Sequence, residues 1–194
     1  MSVLLDIFGS TFIGGMLLLL ILKLNIFTSQ AGFSSDNELK MQQNAKTLAE
    51  IINYDFRKIG YNHDGTAVLI AEKDRIKFHA DLERPGIAGH GTVDVIEYFI
   101  LDSTHSAGTS NERDIVLVRV QNETDSLTGP SLGLVKLEFS YLDSLSTPTN
   151  DLSKIKYIKT EMWIEPIDPA NNFVTGNKDS VFTYWEFTIY PRNI

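Results

Sequence analysis

The sequence contains no cysteine among its 194 residues. This absence excludes a thiol nucleophile, a disulfide framework and a cysteine-ligated zinc site. Histidine is also scarce: the four histidines stand at positions 63, 79, 90 and 105, and none has the spacing of a helical metal pair. The motifs of zinc peptidases, serine hydrolases, P-loop proteins and dinucleotide-binding proteins are missing. We therefore expect a non-enzymatic protein with no catalytic, metal or cofactor site.

Positive charge is in deficit, with 17 lysines and arginines against 25 aspartates and glutamates, a net charge of −8. Residues 1–30 carry only Asp6 and Lys23, which cancel, so the whole deficit lies in residues 31–194. An acidic outer domain is repelled by phosphate backbones. We therefore expect no nucleic-acid partner.

Charge of either sign is absent from residues 7–22. A helix over residues 7–27 would be about 31 Å long, which matches the hydrocarbon core of a bilayer. Lys23 near one end can extend its ammonium to the headgroups. We predict that residues 1–30 are a single-pass transmembrane anchor in membrane lipid and that residues 31–194 are the head. A secretory signal peptide cleaved before Gly32 and a buried core helix are the alternatives.

A second, amphipathic helix is predicted over residues 36–59, after a break at residues 32–34. Ser35 and Glu38 fit a capping box at its start, and Gly60 fits the left-handed position that ends a helix. One face of this helix carries the apolar residues Met41, Ala45, Leu48, Ile52, Phe56 and Ile59.

The hydrophobic period changes to two after residue 66, which indicates half-buried antiparallel strands. The predicted strands cover residues 67–72, 75–80, 93–101, 114–121, 134–142, 155–164 and 181–190. In the fourth of them, three valines at 116, 118 and 120 lie opposite Arg119. In the second, we expect His79 on the solvent face together with Lys77 and Asp81. The fold class is therefore α+β: an N-terminal transmembrane helix, then an amphipathic helix packed on an antiparallel β-sheet head.

Two further segments, one rich in glycine and one rich in aromatic residues, are interpreted as structural. The glycine-rich stretch 86–91 lies between two strands, so we interpret it as a hairpin loop and not as a phosphate cradle, which would lead into a helix. The aromatic ending 182–190 alternates, so its odd-numbered residues are expected in the core and its even-numbered residues on a face open to a partner.

This order of a short leader, an apolar helix, an amphipathic helix and strands resembles the type IV pilin and pseudopilin superfamily, particularly its larger minor members. The segments that carry the resemblance are AKTLAEIINYDFRKIGYN (45–62), DRIKFHADLERPG (74–86), TVDVIEYFI (92–100), LGLVKLEFSYLDS (132–144) and FTIYPRNI (187–194). The resemblance implies a minor structural subunit of a membrane-anchored filament or secretion assembly. Its head would lie outside the cytoplasm, in the periplasm or at the cell surface. Its partners would be other pilin-like or membrane-complex subunits, reached through the N-terminal helix.

The resemblance also assigns roles to small residues in the apolar segment. Gly9 followed by Ser10 is placed like the prepilin cleavage site, and Gly14 stands where the family carries a glutamate. The residues Gly9, Ser10, Gly14 and Gly15 are predicted to let membrane helices approach closely. Two alternatives to a filament subunit are open: an uncleaved pilin-like subunit of a large membrane or cell-surface complex, and a membrane-tethered ligand-binding module or enzyme.

Overall fold

The structure is a computed structural model that describes residues 2–83, 85–105, 109–128, 132–167 and 181–194. Its contacts divide the chain into two compact units, Met1–Leu39 and Lys40–Ile194. The first unit is helical throughout its described residues. The second contains the rest of that helix and the strands.

A single helix, α1 (Ser2–Phe56), replaces the two helices predicted from the sequence. The predicted break at residues 32–34 and the capping box at Ser35 are therefore wrong. The physical reason is that Gly32 lowers helix stability by only about 1 kcal/mol relative to alanine and serine by less. No proline lies between residues 2 and 56 to interrupt the backbone hydrogen bonds.

The end of the helix is close to the predicted one. Regular α-helix stops at Phe56, and hydrogen-bonded turns continue to Asn62. Gly60 has φ +75°, and its N–H donates to the carbonyl oxygen of His79 at 2.8 Å. The left-handed conformation expected of Gly60 is confirmed, and it turns the chain onto the sheet.

The strands form two antiparallel sheets. The first has the order β1-β2-β3-β4-β5 and the second the order β6-β7-β8, so neighbouring strands are consecutive in the chain. The strand bounds are β1 Val68–Ala71, β2 Arg75–Ala80, β3 Asp94–Leu101, β4 Val116–Gln121, β5 Asp125–Thr128, β6 Leu134–Leu142, β7 Tyr157–Ile164 and β8 Thr183–Ile189. The seven predicted strands are confirmed within a few residues at each end, and β5 is an eighth that the sequence analysis missed. A short 3₁₀ turn covers Ser103–His105.

The core of the second unit lies between α1 and the two sheets. All six residues of the predicted apolar helix face are buried: Met41, Ala45, Leu48, Ile52, Phe56 and Ile59. The Phe56 ring lies 5.6 to 5.7 Å, centroid to centroid, from the rings of Phe78, Tyr98 and Phe139. Since Phe78 and Tyr98 belong to the first sheet and Phe139 to the second, one helix residue holds both sheets in a common core.

The structure confirms that Arg119 lies opposite Val116 and Val118, and it corrects the expected position of Asp81. In β4, Arg119 lies on the side that meets α1, where its Nε donates to Asp55 Oδ2 at 2.6 Å, while Val116 and Val118 are buried on the opposite side. The buried carboxylate on the helix requires a cation there, which an alternating pattern does not reveal. Asp81, expected on the solvent face, is completely buried.

Candidate functional site

The first unit presents an apolar surface on all sides of α1. Every large apolar side chain from Val3 to Phe27 is exposed, by between 50% at Leu22 and 74% at Phe12. This helix is long and apolar enough to cross a membrane, with a mean hydropathy of 2.1 in its most apolar window and none of that window buried inside the protein. Leaving one such side chain in water instead of burying it costs roughly 1.5 to 3 kcal/mol. Such a surface is more stable in an apolar environment than in water.

The small residues of the apolar segment have open space around them. A Cβ built on Gly9, Gly14 or Gly15 meets no atom within 4 Å outside the local helix backbone. Nothing in the described part of the chain therefore requires glycine at these positions. Gly9 and Ser10 lie inside the regular helix, and their roles in cleavage and in helix packing stay predictions.

Three hydroxyl groups in the N-terminal half of α1 are satisfied within the helix itself. Ser10 Oγ and Thr11 Oγ1 donate to the carbonyl oxygen of Ile7 at 3.0 and 2.8 Å, and Thr28 Oγ1 donates to the carbonyl oxygen of Leu24 at 2.8 Å. Such bonds remove the cost of placing a hydroxyl in hydrocarbon. These three hydroxyl groups are thus compatible with a lipid environment.

The four histidines do not assemble a site. His63 and His79 stack with ring centroids 4.1 Å apart, while His90 and His105 each lie beside one aspartate. Among the described residues, no group of three or more histidines, aspartates and glutamates could hold a metal ion.

The glycine-rich loop 86–91 is held by a carboxylate of the same chain. Asp81 Oδ2 accepts a hydrogen bond from the Gly91 N–H at 2.8 Å and lies 3.3 Å from His90 Nδ1. Asp81 also accepts hydrogen bonds from Asn62 and from the Glu83 N–H. Burial opposes the charge of Asp81, but these hydrogen bonds outweigh it and hold the pKa of the carboxyl below its usual value. The contacts of Asp81 therefore account for the position of residues 90 and 91 in the loop.

The outward face of β6–β8 carries a pair of aromatic residues, Trp163 and Tyr184. Lys136, Trp163 and Tyr184 lie side by side in the strand register. Lys136 Nζ lies 4.0 Å from the centroid of the Trp163 ring, and that ring lies 5.0 Å from the ring of Tyr184. The alternation predicted for β8 is confirmed, since Tyr184 is exposed while Trp185 and Phe187 pack against the core.

A row of three glutamates crosses the same face, where Glu138, Glu161 and Glu186 are register partners. Lys159 Nζ lies 3.4 Å from Glu161 and 3.2 Å from Glu186, and the hydroxyl oxygen of Tyr184 lies within hydrogen-bonding distance of both, 2.6 Å from Glu161 Oε1 and 2.5 Å from Glu186 Oε2. The hydrogen bond from Tyr184, and after it the one from Lys159, lowers the pKa of Glu186.

Glu138, the third glutamate of the row, is paired with two other lysines. Glu138 Oε1 lies 3.0 Å from Lys73 Nζ and 2.8 Å from Lys136 Nζ. Three carboxylates thus face three ammonium groups, so the face is neutralised by its own residues. Sequence reasoning missed this row because it depends on the register of three strands.

A buried polar group also joins α1 to the first sheet. Asp55 Oδ2 accepts hydrogen bonds from Tyr98 OH at 2.7 Å and from Arg119 Nε at 2.6 Å. Burial opposes the charge of Arg119, but its bond to Asp55 outweighs burial and raises the pKa of the guanidinium. This arrangement fixes the helix on the sheet and has no open side for a substrate, because Asp55 and Tyr98 are buried.

Comparison with known proteins gives a structural likeness and no match in sequence. No family model matches the sequence, and no curated protein matches it. Among solved structures, the chain is similar to a type IV-like pilin from Thermus thermophilus, with 11% identity and a TM-score of 0.49, over 78% of this chain and 96% of that chain. The order of elements expected from the pilin resemblance, a long apolar helix followed by antiparallel strands, is present in the structure.

Proposed function

We propose that this protein is a non-enzymatic, membrane-anchored structural subunit with a pilin-like head. The single observation that carries the proposal is the apolar surface of residues 3–27, which is exposed on every side of α1. A surface of this kind is stable in lipid or against other helices and not in water. The anchor then comprises residues 1–30 and the head residues 31–194, on the extracytoplasmic side of the membrane.

The head supports a structural role and not a catalytic one. Its charged clusters are paired: the glutamates of the outward sheet face have lysine partners, and Asp55 has Arg119. Catalytic groups, by contrast, are usually found with perturbed protonation in an open cleft. We infer that the head contributes contacts to an assembly.

The finer proposal is a minor pilin-like or pseudopilin-like subunit of a filament or secretion assembly. A second candidate is an uncleaved subunit of a fixed membrane complex. The glycine at position 14, where the resemblance implies a glutamate, favours the second candidate.

The experiment that separates the two is the intact mass and N-terminal sequence of the protein isolated from native membranes. A chain that begins at Ser10 supports peptidase processing and the filament route. A chain that begins at Met1 supports the permanent anchor. A water-soluble chain that lacks residues 1–30 contradicts both candidates.

A further inference from the structure

One edge of the second sheet is open. The sheet has the order β6-β7-β8, so β8 (Thr183–Ile189) is an edge strand. In the described part of the chain, no backbone hydrogen bond reaches β8 from a segment other than β7. The backbone N–H and C=O groups that point away from β7 along this strand can therefore pair with another strand.

The opposite edge of the same sheet is covered by the chain itself. Near the start of β6, the Ile115 N–H donates to the carbonyl oxygen of Leu134 at 2.7 Å. In the middle of β6, the Phe139 N–H donates to the carbonyl oxygen of Lys73 at 2.7 Å. The protein thus covers one edge of this sheet with segments of its own and leaves the other edge to solvent or to a partner.

The sequence of β8 does not protect its open edge. Natural sheets prevent strand addition with proline, lysine, short edge strands or bulges. The strand TYWEFTI contains neither proline nor lysine, and its pairing with β7 continues without a bulge. The edge strands of the first sheet differ, since β1 and β5 have four residues each and the pairing of β1 is irregular. Among the described strands, β8 therefore offers the best edge for an added strand.

The side chains of β8 define what an added strand must carry. On the outward face, the side chain of Glu186 is 43% exposed in the middle of the strand. Among the described residues, Lys159 is its one ion-pair partner, and it approaches from β7, on the side away from the open edge. On the inward face, Trp185 and Phe187 are half-buried. An added strand therefore fits best with a basic residue opposite Glu186 and apolar residues opposite Trp185 and Phe187.

Symmetric pairing with a second copy of this chain does not fit the edge. Two β8 strands pair symmetrically in antiparallel orientation, about a two-fold axis perpendicular to the sheet. This axis reverses every direction in the plane of the sheet, including that of the helix packed on it. The polypeptide would then enter the two heads from opposite directions, whereas anchors in one membrane need the same direction. The register centred on Glu186 would also place two carboxylates opposite each other.

We propose that β8 is a docking edge for an extended segment of a different protein, which adds to the sheet as a fourth strand with a lysine or arginine opposite Glu186. Backbone hydrogen bonds along β8 supply the affinity, and the side chains at alternate positions supply the specificity. The inference rests on the proposed function and deepens it, because it names the kind of contact that the head makes in an assembly.

The first test uses the full-length protein in detergent micelles and two short capped peptides, in which valine and threonine alternate around a central lysine or a central glutamate. Hydrogen exchange of the backbone amides is measured as each peptide is titrated. The lysine peptide should slow the exchange of the β8 amides. It should also bind about fivefold more tightly than the glutamate peptide, because opposite charges attract across paired strands and like charges repel. The β6 amides should be unaffected, because the chain already covers that edge.

The second test is reversal of the charge on the strand. E186K should reverse the preference, so that the glutamate peptide binds more tightly than the lysine peptide. E186Q removes the charge and keeps a side chain of the same size, and it should bind the two peptides equally. E123K is the matched control, since Glu123 is an exposed glutamate with a lysine partner in the hairpin of the other sheet. It should keep the preference of the unmodified protein.

Three results would overturn the inference. Neither peptide slows the exchange of the β8 amides, or the two peptides bind the unmodified protein equally. In the third, the β8 amides become protected without any peptide as the protein concentration rises, which would make a second copy the occupant of the edge. All three leave the proposed function standing. That function fails instead if the unmodified full-length protein does not associate with lipid vesicles.

Discussion

Arg119 and Tyr98 donate to the same oxygen of Asp55, at 2.6 and 2.7 Å, and thereby bind the last turn of α1 to two neighbouring strands. Tyr98 and Arg119 are register partners on β3 and β4. Because the carboxylate is buried, its charge is compensated by the guanidinium and its geometry is fixed by the hydroxyl. This contact sets the rotation of the helix on the sheet in a way that apolar packing alone does not.

Replacement of Asp55 by alanine should therefore destabilise the head strongly. Asp55→Ala leaves the guanidinium of Arg119 without its partner, and we expect a loss of about 3 kcal/mol in the free energy of unfolding. Urea unfolding followed by tryptophan fluorescence measures it. Glu50→Ala is the matched control on the same helix, because its 3.7 Å pair with Lys46 is exposed and is worth less than about 0.5 kcal/mol. Equal effects of the two substitutions would contradict this role of Asp55.

A second prediction concerns Gly60, in the turn after α1, where a larger residue should destabilise the protein. A Cβ at this position would lie 2.4 Å from the carbonyl oxygen of Asn193, in a backbone with φ +75°. We expect Gly60→Ala to lower the unfolding free energy by about 2 kcal/mol or more, from the left-handed conformation and the clash together. Gly32→Ala is the control, since a Cβ there meets nothing within 4 Å. Calorimetric melting should separate them, and a Gly60→Ala protein that melts like the wild type would show that the C-terminal residues do not pack here.

The glycine-rich loop predicts a pH dependence through Asp81. Because hydrogen bonding lowers the pKa of this carboxyl in the folded protein, its contribution to stability is fully present above the ordinary aspartate pKa of 3.8 and is lost as the pH falls through the lower folded value. Asp81→Asn should be less stable than the wild type at pH 6 and should lose less stability on acidification below pH 3.8. Melting temperatures measured from pH 7 downward test this. Asp64→Asn, in the exposed turn after α1, should follow the wild-type curve; parallel curves for Asp81→Asn and the wild type would refute the prediction.

A stabilising substitution is expected at Thr160. This residue is buried between Phe139 and Phe187 in the strand register, and its Oγ1 has no hydrogen-bond partner among the described residues. Thr160→Val replaces the hydroxyl by a methyl group of similar size, and we expect a gain of about 1 kcal/mol. Thr188→Val, on the outward face of β8, should change the unfolding free energy by less than about 0.5 kcal/mol. A loss of stability in Thr160→Val would mean that the hydroxyl has a partner, such as a buried water.

Much of the fold was predictable because local chemistry determines it. The apolar face from Met41 to Ile59 follows from helical spacing, and the turn at Gly60 follows from the freedom of glycine to adopt positive φ. The continuity of α1 was not predictable, because the sequence at Gly32 resembles a helix end while an isolated glycine is also tolerated inside a long helix. The hairpin between β4 and β5 was missed because Asn122 and Glu123 both have positive φ, of 53° and 60°, and glutamate is not a usual residue for that conformation.

The polar contacts of the head could not be predicted from the pattern of apolar and polar residues along the sequence. Such a pattern assigns Asp55, Asp81 and Arg119 to the surface, since charged residues are mostly exposed. Their burial depends on partners that are distant in sequence, as with Asp55 and Arg119. The glutamate row on β6–β8 depends in the same way on the register of three strands. The long apolar segment, in contrast, is evident from composition alone, because no charge interrupts residues 7–22.

The most direct test of the central claim is alkaline carbonate extraction of native membranes that contain the full-length protein, with a variant carrying Leu18→Asp and Ile21→Asp as the control. We predict that the unmodified protein stays in the membrane pellet. The doubly substituted protein should be released, because two carboxylates in the middle of the apolar segment each cost about 3 kcal/mol in lipid. Release of the unmodified protein into the supernatant would contradict the account, since α1 would then be covered by protein partners and not by a bilayer.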